Sequence, residues 1–173
     1  MTTAREFLAS DAPTGSELIN GVVHLNDVSF EHQELCGRLV VDLSRWDVEG
    51  VRGASGFGGN WVLSATDVFK PDVWWTSERP RGASHQGPPD LAVEIREVGT
   101  WARDAGPKLR RYEAAGAAEL WLVDSPACSV LVFRREGAAG FESAFEFGPG
   151  EQLTSPLLPG FTLAIDELFA GLA

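Results

Sequence analysis

The chain reads as an α/β or α+β domain built on a central mixed β-sheet. Three observations predict this. Helical and strand periodicities alternate along the chain. The run Leu91-Ala92-Val93-Glu94-Ile95 reads as a buried strand with one carboxylate among apolar residues. A length of 173 residues with 44% hydrophobic content suits one sizeable core. One domain over 1–173 is expected, with residues 1–14 as an N-terminal extension.

Residues 3–9 suit a short helix. Glu17 to Leu25 reads as a β-hairpin with Asn20-Gly21 at its turn. Ser29 to Trp46 is the clearest helix. Ser29 can cap it, Glu31 lies in its first turn, and Leu35, Leu39, Val40, Leu43 and Trp46 form its apolar stripe. The glycine-rich stretch Gly50 to Gly59 turns into a strand near Asn60 to Ser64. Another strand follows Pro71. Ser77 to Pro89, with three prolines and two glycines, reads as a loop. Asp90 to Arg96 is the central strand. A helix begins near Pro107, a favoured first-turn residue, and ends at Gly116. Strands are expected over Glu119 to Asp124, Ser129 to Arg134 and Phe141 to Phe147. A short helix over Ala164 to Phe169 closes the chain. Trp74, Trp75 and Trp121 read as strand packing.

Charge and composition exclude some functions. With 25 acids against 14 bases the net charge is −11, which argues against a general nucleic-acid coat protein. Five of the bases, Arg96, Arg103, Lys108, Arg110 and Arg111, nevertheless fall within sixteen residues. No run of eighteen apolar residues exists, so no membrane span is expected. The start, MTTAREFLAS, lacks a basic segment followed by an apolar core, so a cytoplasmic protein without a secretory signal is expected. Cys36 and Cys128 have no metal-ligand spacing and read as free thiols.

The candidate site starts from Glu94. A buried carboxylate is costly and needs a cation, a proton or a hydrogen-bond donor. Arg96 and Lys108 are the nearby cations. A second Pro-Asp pair, Pro71-Asp72, heads the run Val73-Trp74-Trp75. Two acids on neighbouring strands plus a lysine suit a divalent-metal and phosphate site. Asp90 shares the face of Glu94, but four residues of strand separate them by about 13 Å. Asp90 is therefore read as structural. His32 lies on the inward stripe of its helix and reads either as a core histidine or as a site residue. Tyr112 reads as core packing.

Glu17-Leu-Ile-Asn-Gly21, Glu31-His32-Gln33, Pro71-Asp72, Pro89 to Ile95, Asp104, Lys108, Tyr112, Ala115-Gly116, Leu120 to Asp124 and Leu153 to Gly160 fall in one order and spacing. From Glu17 to Phe169 the chain resembles the Uma-two family of the PD-(D/E)XK restriction-endonuclease-like superfamily. The resemblance implies a central mixed sheet flanked by helices and an endonuclease that hydrolyses DNA phosphodiester bonds with Mg²⁺ (or Mn²⁺). It makes Asp72 and Glu94 the metal-binding acids and Lys108 the signature lysine, moved from the strand to the next helix. His32 and Glu17 match further site positions. Arg96 stands on the strand where the superfamily more often has its lysine, and can hold phosphate without acting as a base. Where the family has a Ser-Pro-Ser-type turn, this chain has Glu97-Val98-Gly99-Thr100. That departure motivates an alternative: a catalytically inactive nuclease fold serving as a binding or interaction module. Many such nucleases are homodimers, and a sheet edge over 129–147 would suit strand pairing between copies.

Overall fold

The computed structural model describes residues 1–26, 28–96, 104–137 and 140–172. The hairpin near the N-terminus consists of β1 (Ser16–Ile19) and β2 (Val22–Leu25). Asn20 at φ 52° and Gly21 at φ 71° make the tight turn that the sequence signals. The short helix α1 (Ala4–Leu8) is closed by a capping box between Thr3 and Glu6. It packs Ala4 and Phe7 against Leu18 and Val68.

Helix α2 (Phe30–Trp46) begins where Ser29 accepts the His32 N–H. Its buried stripe is His32, Leu35, Cys36, Leu39 and Leu43. Then follow β3 (Ala54–Gly56), β4 (Asn60–Ser64), β5 (Asp67–Phe69), β6 (Val73–Thr76), β7 (Ser84–Gln86) and β8 (Leu91–Ile95). A π-helical turn, Asp104–Lys108, contains Pro107 and runs directly into α3 (Leu109–Ala115), which ends at left-handed Gly116. The helical segment therefore starts earlier than Pro107 alone suggests. β9 (Glu119–Asp124), β10 (Ser129–Arg135), β11 (Phe141–Phe147), β12 (Gln152–Ser155), β13 (Leu158–Ala164) and α4 (Ile165–Leu168) complete the chain.

The strands form a six-stranded sheet ordered β11-β10-β9-β8-β6-β3, a five-stranded sheet ordered β2-β1-β5-β4-β7, and the hairpin β12-β13. Both larger sheets are mixed: β8 runs parallel to β9 and antiparallel to β6, and β4 runs parallel to β7. The strand β8 is buried on both faces. Leu91, Val93 and Ile95 pack with α2, Trp121 and the β13 side chains Phe161 and Leu163. Ala92 and Glu94 alternate to the other face, where Tyr112, Phe69, Leu120 and Ile19 form a second apolar layer. Each buried leucine on α2 contributes about 1.5–3 kcal/mol to holding that helix on the sheet.

The expectation of a loop throughout 77–89 is corrected by β7, whose three residues pair in parallel with β4. Asp90 accepts from Thr76 Oγ1, Ser77 N and Ser77 Oγ, a structural anchor of the β6 end. The outer strand of the 129–147 region is β11, whereas β10 is interior. Both cysteines are free, Cys36 buried and Cys128 half-buried. Among the described residues, no helix is long and apolar enough to cross a membrane. The turn 97–100, Trp101 and Arg103 lie outside the described residues.

Candidate active site

The end of β8 collects the acids. Extending the Val73↔Val93 pair by one residue sets Asp72 across from Glu94. Directly opposed residues in antiparallel strands have Cα atoms about 4.5–5.5 Å apart. Asp72 Oδ2 accepts the Ile95 N–H at 2.7 Å and lies 3.1 Å from His32 Nε2. The proline before Asp72 cannot donate to the ladder, so the chain turns at the strand start and leaves the aspartate at the sheet's rim. Its side chain is 19% exposed. Among the described residues Oδ1 of Asp72 takes no hydrogen bond.

Glu94 is deeper, 3% exposed. Its Oε1 receives the Tyr112 hydroxyl at 2.7 Å and the Lys108 ammonium at 2.7 Å. Lys108 is 1% exposed and lies 3.2 and 3.3 Å from the two oxygens of Glu17, which is fully buried. Glu17 also accepts the Lys70 N–H and the Asn26 side-chain amide. Lys108 and Tyr112, four residues apart, project from the same face of the helical segment. The π-helical turn that delivers Lys108 is the kind of local widening often found at functional sites. Phe69 packs edge-on against Tyr112 and lies beneath the Lys108 ammonium at 5.4 Å. Burial, with the charges of Glu94 and Glu17, pushes the Tyr112 phenol well above its ordinary range, so it remains a donor.

His32 is oriented from both ends. Its Nδ1 lies 3.6 Å from Cys36 Sγ, one helical turn on. Burial, then the charges of Asp72 and Glu94, pushes the Cys36 thiol up to about 12. The thiol is thus protonated at neutral pH, and the imidazole is held between Cys36 Sγ at Nδ1 and Asp72 Oδ2 at Nε2. This supplies the inward role that the sequence left open for His32.

The structure therefore brings Glu17, His32, Asp72, Glu94 and Lys108 to the end of β6 and β8, adding Tyr112, Asn26 and Cys36. Arg96 is placed apart: its guanidinium bonds both oxygens of Asp124 at 2.8 Å. Arg111 pairs with Asp67 at 2.8 Å. Of the described members of the expected basic cluster, Arg96, Lys108 and Arg111 are held in ion pairs. Lys108 braces Glu94 and Glu17 from inside and does not face solvent. Tyr112 was legible only as an inward aromatic. Its four-residue spacing from Lys108 is the signal that could have tied it to the site.

A cleft of about 740 Å³ opens on this end, lined by His32, Cys36, Phe57, Asn60, Lys70 and Asp72 among others. Burial pushes the Lys70 pKa down, and Glu17 opposes that shift. A depression of about 800 Å³ between α1 and β4 contains no acidic residue and lies away from this chemistry. Among the described residues no three His, Cys, Asp or Glu side chains form a metal cage. Asp72 and Glu94 still fit Mg²⁺ or Mn²⁺, because such ions commonly take one or two carboxylates and complete their shell with water and phosphate oxygen. The observation that supports the fit is that Asp72 lines the cleft and is held there by Oδ2 alone among the described residues.

The mixed sheets and flanking helices are of the restriction-endonuclease-like fold class. The profile of the Uma2 family, described as "Putative restriction endonuclease", matches residues 4–166, and the chain belongs to that family. The fold is similar to a crystal structure from Anabaena variabilis ATCC 29413 described as "a putative nuclease belonging to DUF820". The TM-score is 0.87 at 18% identity, with 100% of each chain covered. No curated protein matches the chain.

Proposed function

We propose that this protein is a cytoplasmic, divalent-metal-dependent endonuclease that hydrolyses DNA phosphodiester bonds. The observation that carries this reading is that Asp72, which lines the cleft, stands across the strand pair from buried Glu94, which Lys108 holds at 2.7 Å, on a chain of the Uma2 family. Asp72 and Glu94 would hold Mg²⁺ or Mn²⁺. When bound, the metal supplies Lewis-acid stabilisation of the phosphoryl oxygens and lowers the pKa of water. The protein's own residues fix the carboxylates. His32 and the Ile95 N–H hold Asp72 by Oδ2, and Asp72 lines the cleft. Lys108 and Tyr112 hold Glu94, and Glu17 holds Lys108. Lys108 is accordingly a positioning residue that also offsets charge inside the site. Arg96, clamped by Asp124, stiffens the end of β8 beside Glu94.

The test is cleavage of labelled DNA in Mg²⁺ and Mn²⁺ by the parent, Asp72→Asn and Glu94→Gln. The parent is expected to cut, and each variant to lose at least about a hundredfold, in the range of a preorganised electrostatic contribution. An inactive parent that binds DNA without metal would favour the binding-module alternative.

A further inference from the structure

Phe57 is 68% exposed, yet its loop is fastened. The adjacent Gly58 N–H donates to the Pro71 carbonyl at 2.9 Å, next to Asp72, and the Gly58 carbonyl accepts the Trp61 indole at 3.3 Å. Gly58 at φ 62° and Gly59 at φ 80° make the sharp bend that leaves the phenyl ring at the cleft. The same loop continues into a smaller cleft of about 130 Å³ lined by Trp61, Trp74, Arg81 and His85. Gly59 and Asn60 line both clefts, and Asn60 donates to the Ala83 carbonyl at 3.0 Å, tying the Arg81 segment to the Phe57 loop. Arg81 has no ion-pair partner among the described residues. Among the described residues Asp72 is the only acid that lines either cleft, on a chain of net charge −11.

From this continuous track of an aromatic, neutral amides and two cations, we infer that the substrate is single-stranded DNA. An unpaired base stacks on Phe57 beside Asp72, and Lys70 and Arg81 contact the flanking phosphates. The inference rests on the nuclease reading of the Asp72–Glu94 end. A base presents its face to an aromatic only when it is unstacked, and stacking provides affinity that a strongly acidic protein cannot draw from phosphate attraction. A duplex has no such face to offer, and Arg96, Arg111 and Arg134 are already engaged by Asp124, Asp67 and Glu119.

The experiment is fluorescence anisotropy of the full chain with a labelled oligothymidylate of about eight nucleotides, a length within the usual site sizes. Ca²⁺ replaces Mg²⁺ so that binding is read without turnover. Phe57→Ala is expected to weaken binding at least about fivefold, and Phe57→Trp to retain it. With two phosphate contacts the log–log salt slope should be about −1.4, and Arg81→Ala should bring it to about −0.7. A duplex of the same length should compete poorly. Parent-like binding by Phe57→Ala, equal competition by duplex, or no binding of the oligonucleotide by the parent would each overturn the inference. Cleavage by the parent separates the two claims. Phe57-dependent binding without cleavage sinks hydrolysis and leaves the single-strand assignment standing. Cleavage of duplex indifferent to Phe57 does the reverse.

Discussion

Among the described residues two buried carboxylates of the central sheet, Glu119 and Glu94, are held by cations, in very different surroundings. Glu119, at the start of β9, is 3% exposed. Its Oε1 accepts Arg134 Nε at 3.1 Å and Ser155 Oγ at 2.7 Å, and its Oε2 accepts the Trp121 indole at 2.8 Å. One acid meets one base, and the group staples β9, β10 and β12 without bordering any cleft described above. Glu94 lies near the opposite end of the paired strands, since Leu91 aligns with Glu119 and Glu94 with Leu122. There Lys108 lies between two carboxylates, and Asp72 faces the cleft next to them. Burial of a charge is therefore not itself a sign of function. Crowded carboxylates beside an opening are a stronger sign.

Breaking either cluster should show the largest effects. Glu119→Ala leaves the Arg134 charge uncompensated and should cost about 3–5 kcal/mol in urea unfolding, with the cleavage rate of the folded fraction retained. Lys108→Met leaves Glu17 and Glu94 buried together and should cost a similar amount. Adding Glu17→Gln should recover part of that loss, measured as a double-mutant coupling, whereas Glu119→Gln should recover none. Next comes metal. Mg²⁺ at about a hundred times its dissociation constant should stabilise the parent by about 2.7 kcal/mol, and Asp72→Asn should abolish the gain. Tyr112→Phe removes one donor from Glu94 and should cost about 1–3 kcal/mol in stability.

The smallest effect concerns pH. The Cys36 thiol has its pKa raised from 9.0 to about 12, chiefly by burial. A group raised in the folded state contributes stability in full below its unfolded pKa. That contribution falls as pH rises from about 9 toward about 12. Thermal melts of Cys36→Ala should therefore show a shallower alkaline decline than the parent.

Much of this contrast was legible in the sequence because it rests on local signals. Asn20-Gly21 dictates a turn, Ser29 caps a helix, and a lone acid within Leu91 to Ile95 marks a strand that needs a partner. Pro71-Asp72 located the second acid. Other parts were not legible. β3, β5 and β7 have three residues each, too short to show alternation. The β12-β13 hairpin was readable only as a resemblance motif. The pairing of Arg96 with Asp124, and of Glu119 with Arg134 and Ser155, depends on strand register between distant segments. Lys108 could be assigned to the site from its spacing, but its inward direction follows from the π-helical turn, which no residue pattern announced.

Mn²⁺ titration by calorimetry tests the central claim most directly. The account predicts one site per chain in the parent, loss of that site in Asp72→Asn, and its retention in Glu119→Gln. No binding by the parent, or binding that survives Asp72→Asn unchanged, would contradict it.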